Sequence, residues 1–354
     1  MNILVTSREL DMVGYHMLEQ LSYRQSMTIY IAVSTKEEHN SVRGNCIPLT
    51  IPVLKSKLVW DAIKAIRKII KEKKIDIVFS PSSSGLSNSL FASIGTKAKN
   101  VAYRGTQAKV RKGDPTYYLG ILNPRVKYVI CETEDIKEYL SQFFRPDRLS
   151  VHLKPFDVEW VEDACQHPKQ ADGVPEGAFS LIYIAATKGR PFKGLTTLIQ
   201  AVNLVEDSRL HFVFVGDYED SDYKLAMNGP AKDRIHFLGR RGDAISFIPK
   251  QDLFVLPSTR DASPRVIREA MACGLPCIVT DILGARDLIL NGETGVLVPP
   301  SDPEKMAEAI IGFMNDKEKC LQFGKAGRQR IINDFSMEKY VDYFEQTFTD
   351  IVNK

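Results

Sequence analysis

The sequence predicts an α/β protein of two domains, each a mostly parallel sheet with helices between its strands. Three observations predict it. Short β-rich runs alternate with helical patterns from the first residues onward, which is the signature of βαβ units. The alternation breaks once, in an aperiodic, acidic stretch with Pro and Gly from Asp157 to Ala178, and then restarts. A chain of 354 residues is also long for one ordinary core and natural for two domains of common size.

In the first half, strands are expected at residues 2–6, 27–34, 75–80, 100–104, 127–132 and 150–154. Between them, residues 55–74 place Val59, Ile63, Ile66 and Ile70 at the three-and-four spacing of a helix with one buried face, and Lys64, Arg67, Lys68 and Lys71 fall opposite. In the second half, strands are expected at 180–186, 210–216, 235–238, 253–257, 277–280 and 296–298. From Ser336 to Val352, Tyr340, Tyr343, Phe344 and Phe348 share a helical stripe that can pack. The expected layout is a first Rossmann-like domain at 1–157, a linker at 158–178, a second Rossmann-like domain at 179–335 and a closing helix at 336–354. Two such domains facing across a cleft would set the carboxyl ends of two sheets around one ligand.

Composition narrows the function. Hydrophobic residues make up 44% and charged residues 26%, enough apolar material to fold throughout. The balance of 47 basic against 44 acidic residues leaves no electrostatic footprint of a nucleic-acid binder. No basic n-region precedes the first apolar strand, and no apolar run approaches the roughly 20 residues of a membrane span. A cytoplasmic protein is therefore expected. The basic face at Lys64 to Lys74 reads either as a solvated face or as a peripheral docking surface for anionic lipid on the inner face of the cell membrane. Six cysteines without Cys-x-x-Cys or metal-like spacing read as free thiols, with Cys273 and Cys277 expected to be buried.

The most informative stretch runs from Arg260 to Asp281. It follows an apolar strand ending at Leu256-Pro-Ser-Thr259 and opens a helix that Gly274 and Pro276 terminate. A loop thus meets a helix N-terminus, where free backbone amides and the positive dipole end favour a phosphate. Asp261 precedes that helix and Glu269 lies about two turns in. Near the start of the second domain, Lys188, Arg190 and Lys193 sit in a loop between a strand and an apolar-periodic helix, at the sheet's carboxyl edge. Cations placed there lower the barrier of a reaction that builds charge on a diphosphate.

On these residues the chain resembles the family 4 retaining glycosyltransferases of the GT-B fold, over nearly its whole length. Their second signature glutamate with its Ala-Met-Ala-x-Gly-x-Pro tail is matched by Glu269-Ala-Met-Ala-Cys-Gly-Leu-Pro276. The runs Asn291 to Pro303, Val215-Gly-Asp217, Ile235-His-Phe-Leu-Gly239 and Phe335-Ser336-Met337 also resemble family blocks, in the family's order. One departure is plain: the first glutamate is Asp261 here.

The resemblance implies a nucleotide diphosphate sugar as donor, a glycan or lipid-linked acceptor in surface polysaccharide assembly, and neither cofactor nor metal. It implies that Glu269 holds the ribose hydroxyls, that the main chain around Pro264 to Val266 faces the diphosphate or sugar, and that Asp261 binds donor-sugar hydroxyls. Lys193 matches the family's lysine, and Lys188 stands where the family has arginine. Lys188, Lys193, Asp261 and Glu269 are the implied catalytic set; Arg190, Leu238, Gly239, Ser263, Pro264, Arg265 and Val266 complete the donor-binding set. Retention without an enzyme nucleophile implies attack by the acceptor on the face that the diphosphate leaves, a phosphate oxygen taking the proton.

The first domain departs further from the family. Leu10-Asp-Met-Val-Gly14 offers one glycine where the family commonly has two, and Tyr103-Arg-Gly-Thr106 stands for its His-Gly-Thr. Arg104 substitutes a fixed cation for an imidazole. Gly14, His16 and Arg104 are the candidate cleft residues. Asp220-Ser-Asp222 imitates a metal-binding Asp-x-Asp but is expected in a solvated polar loop. A paired-Rossmann oxidoreductase would need Gly-x-Gly-x-x-Gly after a strand, which neither half has; an epimerase lacks the Glu269 block. The remaining alternative is a catalytically silent nucleotide-sugar or glycan-binding protein on the same fold.

Overall fold

The computed structural model describes residues 1–6, 10–106, 110–261 and 263–353. The chain divides into two compact units, Met1–Pro155 with Met337–Lys354, and Phe156–Ser336.

The first unit holds a sheet of β1 (Asn2–Thr6), β2 (Thr28–Val33), β3 (Ile47–Thr50), β4 (Ile77–Ser80), β5 (Lys99–Arg104), β6 (Val126–Cys131) and β7 (Leu149–Val151), in the order β3-β2-β1-β4-β5-β6-β7. All pairings are parallel. Parallel strands covered on both faces read as unbroken apolar runs, and β1 shows why. Ile3 and Val5 pack on one face with Met17 and Leu18 and with Phe344 and Phe348 of the Met337–Asn353 helix. Leu4, pointing the other way, packs with Ala62, Ile63 and Ile66 of the Trp60–Glu72 helix.

The terminal helix therefore closes the core of the first unit. Phe79 of β4 meets Phe344 and Phe348 edge-on at 5.8 and 5.6 Å, geometries that aromatic quadrupoles favour. Tyr343, expected on the same stripe, is instead 48% exposed, with its ring edge-on to His152. At about 100° per residue it lies on the flank of the row formed by 340, 344 and 348.

The second unit holds β8 (Phe179–Ile184), β9 (Leu210–Val215), β10 (Ile235–Phe237), β11 (Leu253–Leu256), β12 (Cys277–Thr280) and β13 (Gly295–Val298), in the order β10-β9-β8-β11-β12-β13. These pairings too are all parallel. Counted from its own first strand the order is 3-2-1-4-5-6, the Rossmann order, and the first unit repeats it with β7 added at the edge. In each sheet the direction of winding reverses beside the first strand, between β1 and β4 and between β8 and β11.

Three expectations need correction. β3 was not foreseen, because Pro48 sits in a four-residue edge strand with no buried position. The stretch expected as a linker at 158–178 packs into the second unit: it forms a 3-10 turn at Val158–Val161 and a helix at Glu162–Gln166, and Val161, Ala164 and Ala171 are buried. Asp220-Ser-Asp222 is not a polar loop but the first turn of the Asp220–Met227 helix, where buried Asp222 accepts from Thr196 Oγ1 at 2.6 Å. The basic helix runs over Trp60–Glu72, and its Arg67 turns inward to donate to the carbonyls of Ala92 and Ile94. Among the described residues no helix is long and apolar enough to cross a membrane.

Candidate active site

Where winding reverses, the connections leaving neighbouring strands diverge and open a crevice at the carboxyl edge of a parallel sheet. In the second unit that point lies between β8 and β11, and the two loops that leave it touch. Thr259 N–H donates to the Phe192 carbonyl at 2.8 Å, and the Arg260 guanidinium lies 4.7 Å from the Phe192 ring centre. Lys193 Nζ reaches Asp261 Oδ2 at 2.6 Å, with only 20% and 18% of the two side chains exposed. Two residues 68 positions apart are thus joined in one half-buried ion pair.

The backbone makes this approach feasible. Gly194 has φ +74, and a Cβ there would collide with the Pro257 carbonyl at the end of β11. Gly216, after β9, has φ +152 and would collide with the Ala185 carbonyl. Only glycine meets both demands at once. The Tyr183 hydroxyl fixes the Lys193 carbonyl at 2.6 Å. Asp217 and Glu219 hold the rest of the loop, accepting from the amides of Lys188 at 3.3 Å and Gly189 at 2.6 Å. The side chains of Lys188 and Arg190 remain exposed.

After Asp261 the Arg265–Ala272 helix begins, with Pro264 at its N-cap and no side-chain cap among the described residues. Its first-turn amides can therefore receive an anion. Glu269 is buried and pairs with Arg265 at 3.0 Å. Burial pushes its carboxyl above the ordinary glutamate value, and Arg265 and Arg268 pull against that shift. Buried Arg268 donates to Ser263 Oγ at 3.2 Å, and Val266 is half-buried. Leu238 and Gly239 stand further along the sheet edge, after β10: Leu238 N–H donates to Phe214, and the Gly239 carbonyl accepts from Gly216, both at 2.9 Å. A buried carboxylate beside an exposed arginine, a helix N-terminus and a lysine can together hold a polyhydroxyl group and a phosphate.

In the first unit the equivalent edge carries two cavities among the described residues, of about 240 and about 320 Å³. Gly14 lines the smaller one, its amide donating to Asp11 Oδ1 at 2.8 Å. Arg104 lines the larger, with Nε donating to the Thr106 carbonyl at 3.1 Å. His16 pairs with Glu19 one turn along its helix, at 3.2 Å, and lines neither. Sequence reading missed the polar chain in the smaller cavity. Tyr103 donates to Glu132 at 3.0 Å, and Lys154 stands 3.8 Å from Glu132 and 2.7 Å from Asp11. Burial, with the charge of Glu132 nearby, holds the Tyr103 hydroxyl well above its ordinary pKa. The available signal was the position of Tyr103 and Glu132 at the ends of β5 and β6.

The fold is an α/β protein of two Rossmann-like units, with a cation, carboxylates and a helix N-terminus brought together at the second unit's switch point. Residues 169–330 match the family described as Glycosyl transferases group 1. The N-acetyl-alpha-D-glucosaminyl L-malate synthase of Bacillus anthracis is 29% identical over 274 residues, 73% of this chain and 70% of that one. The capsular polysaccharide biosynthesis glycosyltransferase CapM of Staphylococcus aureus is 24% identical over 94% of this chain and 92% of its own. Among solved structures, Anabaena Alr3699/HepE in complex with UDP aligns with a TM-score of 0.74 at 17% identity, covering 99% of this chain and 100% of that one, which shows the GT-B fold. The family match thus falls within the second unit, which resembles the group 1 glycosyltransferases over that stretch.

Gly194→Ala should destabilise the second unit by at least about 1–2 kcal/mol, the cost of a left-handed non-glycine residue, with the collision at Pro257 adding to it. Thermal unfolding checks this; an unchanged melting temperature would show that the two loops can separate at no cost.

Proposed function

We propose that this glycosyltransferase moves a sugar from a nucleotide diphosphate sugar to a glycan or lipid-linked acceptor in surface polysaccharide assembly, with retention and without a metal. The observation that carries the reading is the Lys193–Asp261 pair at the switch point of the second sheet, next to the helix that bears Glu269. The second unit takes the donor and the first takes the acceptor. UDP in the Anabaena protein and capsule assembly in the staphylococcal relative support this reading and make UDP the first probe.

When the donor binds, a phosphate oxygen takes the place of Asp261 on the Lys193 ammonium. Asp261 is then free to accept from a hydroxyl of the sugar. As the C1–O bond breaks, its electron pair goes to the diphosphate. Lys188, Arg190, Lys193 and the amides after Pro264 meet that charge, the role a metal fills in other transferases. The acceptor oxygen forms the new bond on the same face, and its proton passes to the departing phosphate oxygen. Ser263 and Val266 line the path of the diphosphate, and Leu238 and Gly239 border the nucleotide.

Transfer from a panel of UDP-sugars, assayed in excess EDTA with the product anomer read by NMR, tests the whole reading. Wild type should turn over and retain configuration, and Lys193→Ala should lose about 100- to 1,000-fold, the scale of one preorganised charge partner. An inverted product, a strict need for Mg²⁺, or full activity in a folded Lys193→Ala variant would overturn it.

Glu269→Gln should weaken UDP binding by about 1.5–3 kcal/mol, the value of charge-assisted bonds to the ribose hydroxyls. Because the Glu269 carboxyl is shifted upward, wild-type affinity should fall on acidification at a higher pH than an unshifted glutamate would cause. Titration calorimetry across pH should show that dependence in wild type and not in the variant; equal affinities would remove Glu269 from the site.

The location proposed is cytoplasmic, with peripheral docking through the Trp60–Glu72 helix, whose Trp60 is 66% exposed beside exposed Lys64, Lys68 and Lys71. Anionic liposomes should sediment the protein at low salt and release it at high salt; no sedimentation would leave this face simply solvated.

A further inference from the structure

Cys165 and Cys273 stand 108 positions apart in the chain, and their sulfurs lie 3.7 Å from each other in the second unit. Cys165 belongs to the short Glu162–Gln166 helix, and Cys273 is the C-cap of the Arg265–Ala272 helix. Both thiols are free and only partly buried, Cys273 against the expectation that it is buried because it caps the helix end, so a small reagent can reach the pair. Cys46, Cys131 and Cys277 are buried, and Cys320 donates to the Phe313 carbonyl. We propose that Cys165 and Cys273 are a site of reversible disulfide formation that ties the Glu162–Gln166 helix to the helix bearing Glu269. This assignment is independent of the transferase reading.

The chemistry needs a disulfide of low molecular weight as oxidant. The Cys165 thiolate attacks one sulfur of that reagent, forming a mixed disulfide and expelling one small thiol. Cys273 then gives up its proton and attacks Cys165 Sγ, forming the protein disulfide and releasing the second small thiol. Two protein thiols are oxidised and one small disulfide is reduced to two thiols. Burial, and then the proximity of Cys165 and Glu269, push the Cys273 thiol up. Cys273 therefore stays protonated while Cys165 reacts first, and in the second step contact with the mixed disulfide offsets its small thiolate fraction.

The geometry favours movement on one side. A disulfide is roughly 2.0 Å long, so the sulfurs must close by about 1.7 Å. The Cys273 end is held, because its amide donates to the Glu269 carbonyl at 3.0 Å and Arg328 Nη1 donates to the Ala272 carbonyl. Cys165 sits on a five-residue helix with no side-chain cap among the described residues, and this helix is the part that shifts. Phe156, six residues before that short helix, already reaches the other end of the Glu269 helix, since the Arg265 guanidinium lies 5.8 Å from its ring centre. A bridge at Cys273 would brace that helix at both ends, and it would close a loop that contains Lys193, Asp261 and Glu269.

The experiment incubates the 354-residue chain with oxidised glutathione, alkylates the remaining thiols under denaturing conditions and maps the peptides by mass spectrometry. The expected product is one linked peptide pair carrying Cys165 and Cys273, two hydrogens lighter than the reduced pair, with the other four cysteines alkylated. Its melting temperature should rise by roughly 5–10 °C, the scale of a long-loop disulfide in a unit of this size, and dithiothreitol should reverse the rise. Cys165→Ser should give neither the link nor the rise, whereas Cys277→Ser should give both. Six alkylated cysteines in wild type, or a link joining any other pair, would overturn the site. The expected link without a change in melting temperature would overturn the bracing.

Discussion

The second unit depends on one close approach of backbone to backbone, between Gly194 and the carbonyl of Pro257. The loop after β8 can lie against the end of β11 only because nothing projects from position 194. Everything polar at the switch point follows from that contact. It brings the Phe192 carbonyl to the Thr259 amide and the Lys193 ammonium to Asp261, and it leaves the helix after Pro264 opening onto the same spot. Parallel sheets open a crevice wherever their winding reverses, but a crevice is only a gap. Gly194 and Gly216 turn this one into a fixed arrangement of charges.

The two carboxylates of the signature are treated differently by their surroundings. Glu269 is buried on a helix, with an exposed arginine one turn before it and a buried arginine beside it, so its charge is costly yet compensated. Asp261 lies in a loop and satisfies itself on Lys193. An aspartate reaches about one C–C bond less far than the glutamate the family has there. The pair with Lys193 shows where that shorter side chain rests: it keeps Asp261 at the lysine end of the site. On the proposed reading, donor binding must exchange one ion pair for another, and near-equal trades of this kind favour release as readily as capture.

Much of the second unit was legible in the sequence, and the reason is local. Its strands are mostly apolar runs, and the residues that meet at the switch point come in two short blocks, Lys188 to Gly194 and Asp261 to Glu269. What failed did so where no period exists to be read. β3 carries a proline and no buried residue; residues 158–178 are anchored by isolated side chains, Val161, Ala164 and Ala171, which no helical or strand template collects. Asp222 looked like a loop acid because the sequence does not show that Thr196 lies 2.6 Å from it.

The first unit resisted for a different reason. Its polar chain takes Asp11 from the connection after β1, Tyr103 from β5, Glu132 from the end of β6 and Lys154 from beyond β7, so no two of its members are near in sequence. Each alone is an ordinary surface or strand-end residue, and only the sheet order makes them neighbours. A nucleotide diphosphate presents the same ribose and phosphates whatever sugar it carries, so a compact motif can serve it. Acceptors share no such constant part. If the first unit meets the acceptor, as proposed, the groups that choose it are expected to be scattered over strand ends and rebuilt from one enzyme to the next. Arg104 and Gly14, the two departures visible in the sequence, then mark the border of that region, while the partly buried Tyr103–Glu132–Lys154 chain lies at its centre.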